Sequence, residues 1–153
     1  MNNNDIIRKI RYIFDYPDSK MIKIFALAEQ EVSIEQLSNW LKKDDDENFD
    51  GIYDKDLASF LNGFINEKRG KKEGEQPKTE KTLNNNIILR KLKIALNLQD
   101  TDVIEILDLA GITFSKHELS AFFRKPEQKQ YRLCKDQFLR NFLYGLELKY
   151  RKA

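Results

Sequence analysis

The sequence predicts an all-α protein made of two tandem four-helix repeats. Three observations carry that prediction. The stretch Asn84–Leu98, NNNIILRKLKIALNL, restates Asn2–Tyr16, NNNDIIRKIRYIFDY, at an offset of 82 positions. The same offset superposes Asp18 on Asp100, Leu27-Ala28 on Leu109-Ala110, Ser33 on Ser115, Trp40 on Phe122, Asp54 on Asp136, Phe60-Leu61 on Phe142-Leu143 and Gly63 on Gly145, and a fixed register held this long marks a duplicated structural unit. Apolar residues recur at helical spacing, and three prolines with six glycines are too few for a turn-rich β sandwich.

Helix one of each copy follows the asparagine run. Asn4 and Asn86 are read as its caps, side chains that satisfy orphan amides at a helix start. Ile6, Ile7, Ile10, Ile13 and Phe14, repeated as Ile88, Leu89, Leu92, Ala95 and Leu96, form one apolar arc. Helix two is expected to begin at Asp18 or Ser19, and at Asp100 or Thr101, acting as N-caps. Its apolar residues (Met21, Ile22, Ile24, Phe25, Leu27, Ala28; Val103, Ile104, Ile106, Leu107, Leu109, Ala110) lie nearly all round the helix. That predicts the central, most buried helix of each repeat.

Helix three opens on two capping boxes, Ser33-Ile-Glu-Gln36 and Ser115-Lys-His-Glu118. Leu37, Trp40 and Leu41, or Leu119, Phe122 and Phe123, give its apolar face. It closes on Lys42-Lys43 and Arg124-Lys125, cations suited to the negative end of a helix dipole, and Pro126 ends the second copy. After a polar loop, helix four starts near Asp54 and Asp136, with Leu57, Phe60, Leu61, Phe64 and Ile65 matched by Leu139, Phe142, Leu143 and Leu146. Gly63 and Gly145 inside these helices each cost about 1 kcal/mol against alanine, which predicts close helix contact there. Gly70 reads as a C-terminal stop.

The domain plan is thus repeat one over 1–70, a polar linker over 71–83 (KKEGEQPKTEKTL), read as flexible, and repeat two over 84–153. A unit of about seventy residues has a small core, so the two are expected to pack together with pseudo-twofold symmetry. The chain is 41% hydrophobic and 34% charged, which suits a folded helical protein. No apolar run approaches the roughly eighteen residues of a membrane span, and the polar N-terminus has no signal-peptide core. The one cysteine cannot form an internal disulfide, in line with a reducing, cytoplasmic setting.

Net charge is +2, but residues 1–75 hold 12 basic and 16 acidic side chains and residues 76–153 hold 15 and 9. Such asymmetry can steer an acidic partner to the second half. The basic trio Arg8, Lys9 and Arg11 recurs as Arg90, Lys91 and Lys93, and Arg124, Lys125 and Arg132 add to it around Tyr131. These nine residues are the candidate contacts for a protein partner or for phosphates.

Other chemistry has few reagents. His117 lies inside a capping box with no serine or cysteine motif to serve as nucleophile, and is expected to be exposed and inert. Cys134 stands where the first copy has Ile52, as a small buried hydrophobe. Asp46-Glu-Asn48-Phe-Asp50-Gly51 imitates the start of a calcium loop, but its twelfth position is Leu57 rather than a bidentate glutamate, so a solvated loop is expected. One cysteine and one histidine cannot make a zinc set, and no glycine-rich phosphate loop occurs. No catalytic residue, metal or cofactor is therefore expected.

The runs NNNIILRKLKIAL, SKHELSAFFRK and DQFLRNFLYGL, with the first-copy version LASFLNGFINEKRG, resemble the YehS-like bacterial proteins, a family of about this length built from two copies of an all-helical domain of unknown function. The resemblance covers almost all of residues 2–151. It implies the duplicated helical fold and a bacterial cytoplasmic protein, and it implies no activity and no catalytic residue. The expectation for function is a non-enzymatic interaction or regulatory module with a protein partner. The alternative is nucleic-acid binding by the basic second repeat.

Overall fold

A computed structural model describes residues 1–151; the last two positions of the expected second repeat lie outside the described residues. Among these the fold is all helical, in two compact units, Met1–Leu83 and Asn84–Ala153. The first unit contains α1 (Asn3–Phe14), α2 (Asp18–Leu27), α3 (Ile34–Leu41) and α4 (Asp54–Arg69). The second contains α5 (Asn85–Ala95), α6 (Asp100–Leu109), α7 (Lys116–Ser120, prolonged by a 3-10 turn over Ala121–Phe123) and α8 (Asp136–Tyr150). Each helix start recurs at the offset read from the sequence: 85 − 3, 100 − 18, 116 − 34 and 136 − 54 all equal 82.

The asparagine run behaves differently from the sequence expectation. The cap of α1 is Asn2, whose side chain accepts the Asp5 N–H at 2.8 Å, and the cap of α5 is Asn84, which accepts from Ile87 at 2.9 Å. Asn4 and Asn86, expected as caps, lie inside the first turn and are buried. Asn4 Nδ2 donates to the carbonyls of Trp40 and Asp50, both at 2.9 Å, and its Oδ1 accepts the Ile52 N–H at 3.0 Å. Asn86 repeats the set with Phe122, Arg132 and Cys134. The middle asparagine holds the far end of the loop. Asn3 donates to the Ile52 carbonyl and to Asp54, and Asn85 to the Cys134 carbonyl and Asp136. One tripeptide thus caps the first helix and pins both ends of the loop before the last.

Helix two is not the most buried element, contrary to its apolar circumference. Only Met21, Ile24 and Phe25 of α2, and Val103, Ile106 and Leu107 of α6, are buried, and Leu109 is 52% exposed. The central helix is the fourth, where α4 buries Leu57, Ala58, Phe60, Leu61, Gly63 and Phe64. The two pack closely because a glycine faces the carbonyl of an isoleucine. A Cβ on Gly63 would stand 2.8 Å from the Ile24 carbonyl carbon and nearer still to its oxygen; one on Gly145 would stand 2.9 Å from that of Ile106. Neither Asp18 nor Asp100 is an N-cap. They are the first residues of α2 and α6, and their carboxylates hold Arg11 at 2.9 Å and Lys93 at 2.6 Å.

Helix three keeps one full capping box. Ser115 and Glu118 exchange both bonds, whereas Ser33 accepts from Gln36 but the Gln36 amide turns away to Asp50. Gly70 closes α4 with φ 89°, a conformation that favours glycine. The segment after it has no regular structure, but it belongs to the first unit: Gln76 accepts from Asn66 at 3.2 Å, and the Leu83 N–H donates to Asp54 at 2.8 Å.

The cores share positions but not side chains. Phe25 meets Trp40 and Phe60 at 5.4 and 5.2 Å between ring centres. In the second unit the cluster is Phe114, Phe122 and Phe138, 4.6–5.7 Å apart. Phe138 stands where the first copy has Asp56, held by Gln30. No described helix is long and apolar enough to cross a membrane.

Candidate functional site

The duplication is an internal control on the basic residues, because a side chain consumed by the shared framework is not available to a partner. Arg8 is consumed. Its guanidinium donates to the Lys42 carbonyl at the end of α3, at 2.5 Å, and to Asp5 at 2.6 Å, with Asp44 at 3.8 Å. Burial tends to raise the Asp5 carboxyl, but the Asn2 N–H and Arg8 outweigh it and hold the group below the usual carboxylate range. Arg11 donates to the Tyr16 carbonyl and to Asp18, and Lys9 faces the Tyr12 ring at 5.7 Å.

The second copy leaves the counterpart of Arg8 without that framework. Ile87 replaces Asp5 and Pro126 replaces Asp44, so Arg90 is exposed and pairs with neither. Lys93 is consumed like Arg11, by Asp100, and also lies over the Phe123 ring at 4.5 Å. Lys91 is partly exposed and Lys125 is exposed. Counted by unit, residues 1–83 carry 14 basic and 17 acidic side chains, net −3, and residues 84–153 carry 13 and 8, net +5.

Arg124 and Arg132 are the two predicted residues that the fold brings together. With His117, Glu118, Ala121 and Gln130 they line an open cleft of about 240 Å³. Arg132 is exposed, with its guanidinium carbon over the Phe122 ring at 5.6 Å from the ring centre, within cation–π range. Arg124 is partly exposed, yet its Nε is buried with no hydrogen-bond partner among the described residues. Glu118 is fixed in the capping box, and the hydrogen bonds from Ser115 hold its carboxyl below the usual range. Sequence reasoning named both arginines but not the cleft. Its signal was the substitution of Ala121 for Asn39 and of Arg132 for Asp50 between copies.

His117 is exposed. Cys134 is buried, and burial pushes its thiol up to about 12, so at neutral pH it holds its proton and is a poor nucleophile. In the acidic loop Asp46 accepts the Asn48 N–H, Asp50 accepts from Gln36, and Asp54 accepts from Asn3 and Leu83. Those carboxylates bond to separate partners, and no described group of three His, Cys, Asp or Glu is placed to hold a metal ion.

Comparison with known proteins matches this architecture. The family of proteins of unknown function DUF1456 matches twice, over residues 3–70 and 85–152, one copy for each helical unit. The uncharacterized protein YehS of Escherichia coli strain K12 is 44% identical over 147 residues, which cover 95% of this chain and 94% of that one. No solved structure matches. With both repeats matched in register and YehS similar from end to end, the chain belongs to the DUF1456 family.

Proposed function

We propose that this chain is a non-enzymatic interaction module whose second repeat docks an acidic segment of a protein partner, while the first repeat serves as scaffold. The observation that carries this reading is the divergent fate of Arg8 and Arg90. The first is bound by Asp5 and by the end of α3; the second has been stripped of both acidic neighbours and stands in solvent. A cation retained without its framework partners is free to meet an external anion, and a +5 unit attracts one over a Debye length. Leu133, next in sequence to Arg132, is 57% exposed, so the surface offers apolar as well as charged contact, as protein interfaces do. The protonated, buried thiol of Cys134 supports the non-enzymatic part of the reading.

Nucleic acid is the second reading, favoured by the same +5 charge. The exposed Glu118 and Glu127 are interleaved with the exposed cations Lys116, Lys125, Lys129 and Arg132, which suits a peptide carboxylate better than a continuous phosphate track. Fluorescence anisotropy separates the two, with labelled hexaglutamate and a labelled DNA duplex as probes. The expected result is salt-sensitive binding of the peptide that disappears in R90E/K125E/R132E and survives in K23E/K43E/K55E, which reverses three exposed lysines of the first repeat. Tight binding of the duplex with a steep salt slope favours the second reading; no binding of either probe at low salt defeats both.

A further inference from the structure

The cleft of the second repeat has a counterpart in the first, and the comparison shows what changed. The backbone frame is the same: the Asp50 N–H donates to the Asn39 carbonyl at 3.1 Å, and the Arg132 N–H donates to the Ala121 carbonyl at 3.1 Å. The side chains on it are not. In the first copy they satisfy one another, Gln36 Nε2 donating to Asp50 Oδ2 at 3.0 Å and Lys42 Nζ to Asn39 Oδ1 at 2.9 Å. In the second copy each of these positions differs. Glu118 replaces Gln36 and folds back on the cap, Ala121 removes the amide of Asn39, and Arg124 and Arg132 replace Lys42 and Asp50. Neither internal bond has its pair of side chains in the second copy, an acceptor is replaced by a cation, and Arg124 and Arg132 line a cleft.

From this geometry we infer that the cleft between Arg124 and Arg132 is a binding site for a single carboxylate, the side chain of an aspartate or glutamate on an acidic protein segment. This deepens the proposed function and rests on it. Two observations specify the ligand. A guanidinium presents a planar fork of donors that matches a carboxylate, and Arg132 brings one to the cleft from its place over the Phe122 ring. The two arginines against Glu118 give the lining a net charge of +1 (2 − 1, His117 counted neutral), which one carboxylate neutralises and a doubly charged phosphate exceeds. A cleft of about 240 Å³ holds a carboxyl group and several waters at roughly 30 Å³ each.

The test restores the first copy's chemistry to the second. E118Q/R132D rebuilds the Gln36–Asp50 pair on a frame that holds it in the first repeat, and Ala121→Asn refills the space without changing charge. Isothermal calorimetry of the full chain with capped hexaglutamate is the readout, with circular dichroism showing that each variant keeps its helices. The expected result is a loss of affinity of about tenfold in each variant, the order of one charge-assisted hydrogen bond. Affinity unchanged in both variants, with binding still lost in R90E/K125E, overturns the cleft and leaves the proposed function standing. No heat with hexaglutamate at low salt overturns both. Displacement by inorganic phosphate at lower concentration than by acetate overturns the carboxylate assignment in favour of a phosphorylated ligand.

Discussion

The side chain of Asn86 and the backbone of Cys134 are joined by a buried hydrogen bond of 2.8 Å, the keystone of the loop that precedes α8. The same side chain donates to the carbonyls of Phe122 and Arg132. Alanine there strands three polar groups of the loop backbone at once, each worth about 1–3 kcal/mol when left unsatisfied in the interior. Asn86→Ala is therefore expected to destabilise by about 3 kcal/mol in urea unfolding, and Asn4→Ala comparably, because Asn4 holds Trp40, Asp50 and Ile52 in the same way. Asn86→Asp should be at least as damaging, since a carboxylate cannot donate to the two carbonyls. A midpoint unchanged by Asn86→Ala contradicts the assignment.

The close approach of α4 to α2, and of α8 to α6, admits no side chain at Gly63 or Gly145. Gly145→Leu is expected to cost several kcal/mol, because the carbonyl of Ile106 is backbone and cannot rotate away. Gly63→Ala should lower the melting temperature as well, despite alanine's better helix propensity, which alone would stabilise by about 1 kcal/mol. A rise in melting temperature for Gly63→Ala refutes the contact.

Arg8 and Arg90 occupy equivalent positions and should respond differently to truncation. Arg8→Ala removes the bond to the Lys42 carbonyl and the pair with Asp5, for a cost of about 1–2 kcal/mol. Arg90→Ala should stay within about 0.5 kcal/mol of wild type, as for other exposed surface changes. Equal losses in thermal melts count against the divergence of the two copies.

The fold was legible where the signal was local or repeated. Helix starts at Asp54, Asp136 and Ser115, the stop at Gly70, and the tight glycines follow from caps, positive φ and spacing. What the sequence misassigned depended on register or on distant partners. Any of three asparagines can cap a helix, and a shift of one or two residues decides which; the buried role of Asn4 is set by a loop 46 to 48 positions away. The apolar circumference of helix two suggested deep burial, but a ten-residue helix against one long neighbour shields one side, and Leu109 stays in solvent. The cleft needed the fold to place Arg132 opposite Arg124 across the loop, although the exchange of Asp50 for Arg132 was in plain view.

Cys134 makes stability depend on alkaline pH. Burial raises its folded-state pKa to about 12, against about 8.5 in an unfolded chain. The native state therefore keeps a proton that the unfolded state releases, so the contribution is fully present below about pH 8.5 and is lost as pH rises toward 12. Tyr16, also pushed up to about 12 by burial and the nearby Glu67, adds to the loss above about pH 10. Between about pH 9 and 10, stability should fall by up to about 1.4 kcal/mol per unit from the thiol, and Cys134→Val should flatten that slope. Parallel slopes for variant and wild type contradict the buried-thiol assignment.

The proposed division of labour, with the second repeat meeting the partner and the first serving as scaffold, can be followed residue by residue. Nitrogen-15 correlation spectra of the full chain, titrated with hexaglutamate, provide the readout. Shifts are expected to concentrate between Asn84 and Arg151, strongest at Ala121, Gln130 and Arg132. Shifts of equal size spread over residues 1–83 would contradict that division.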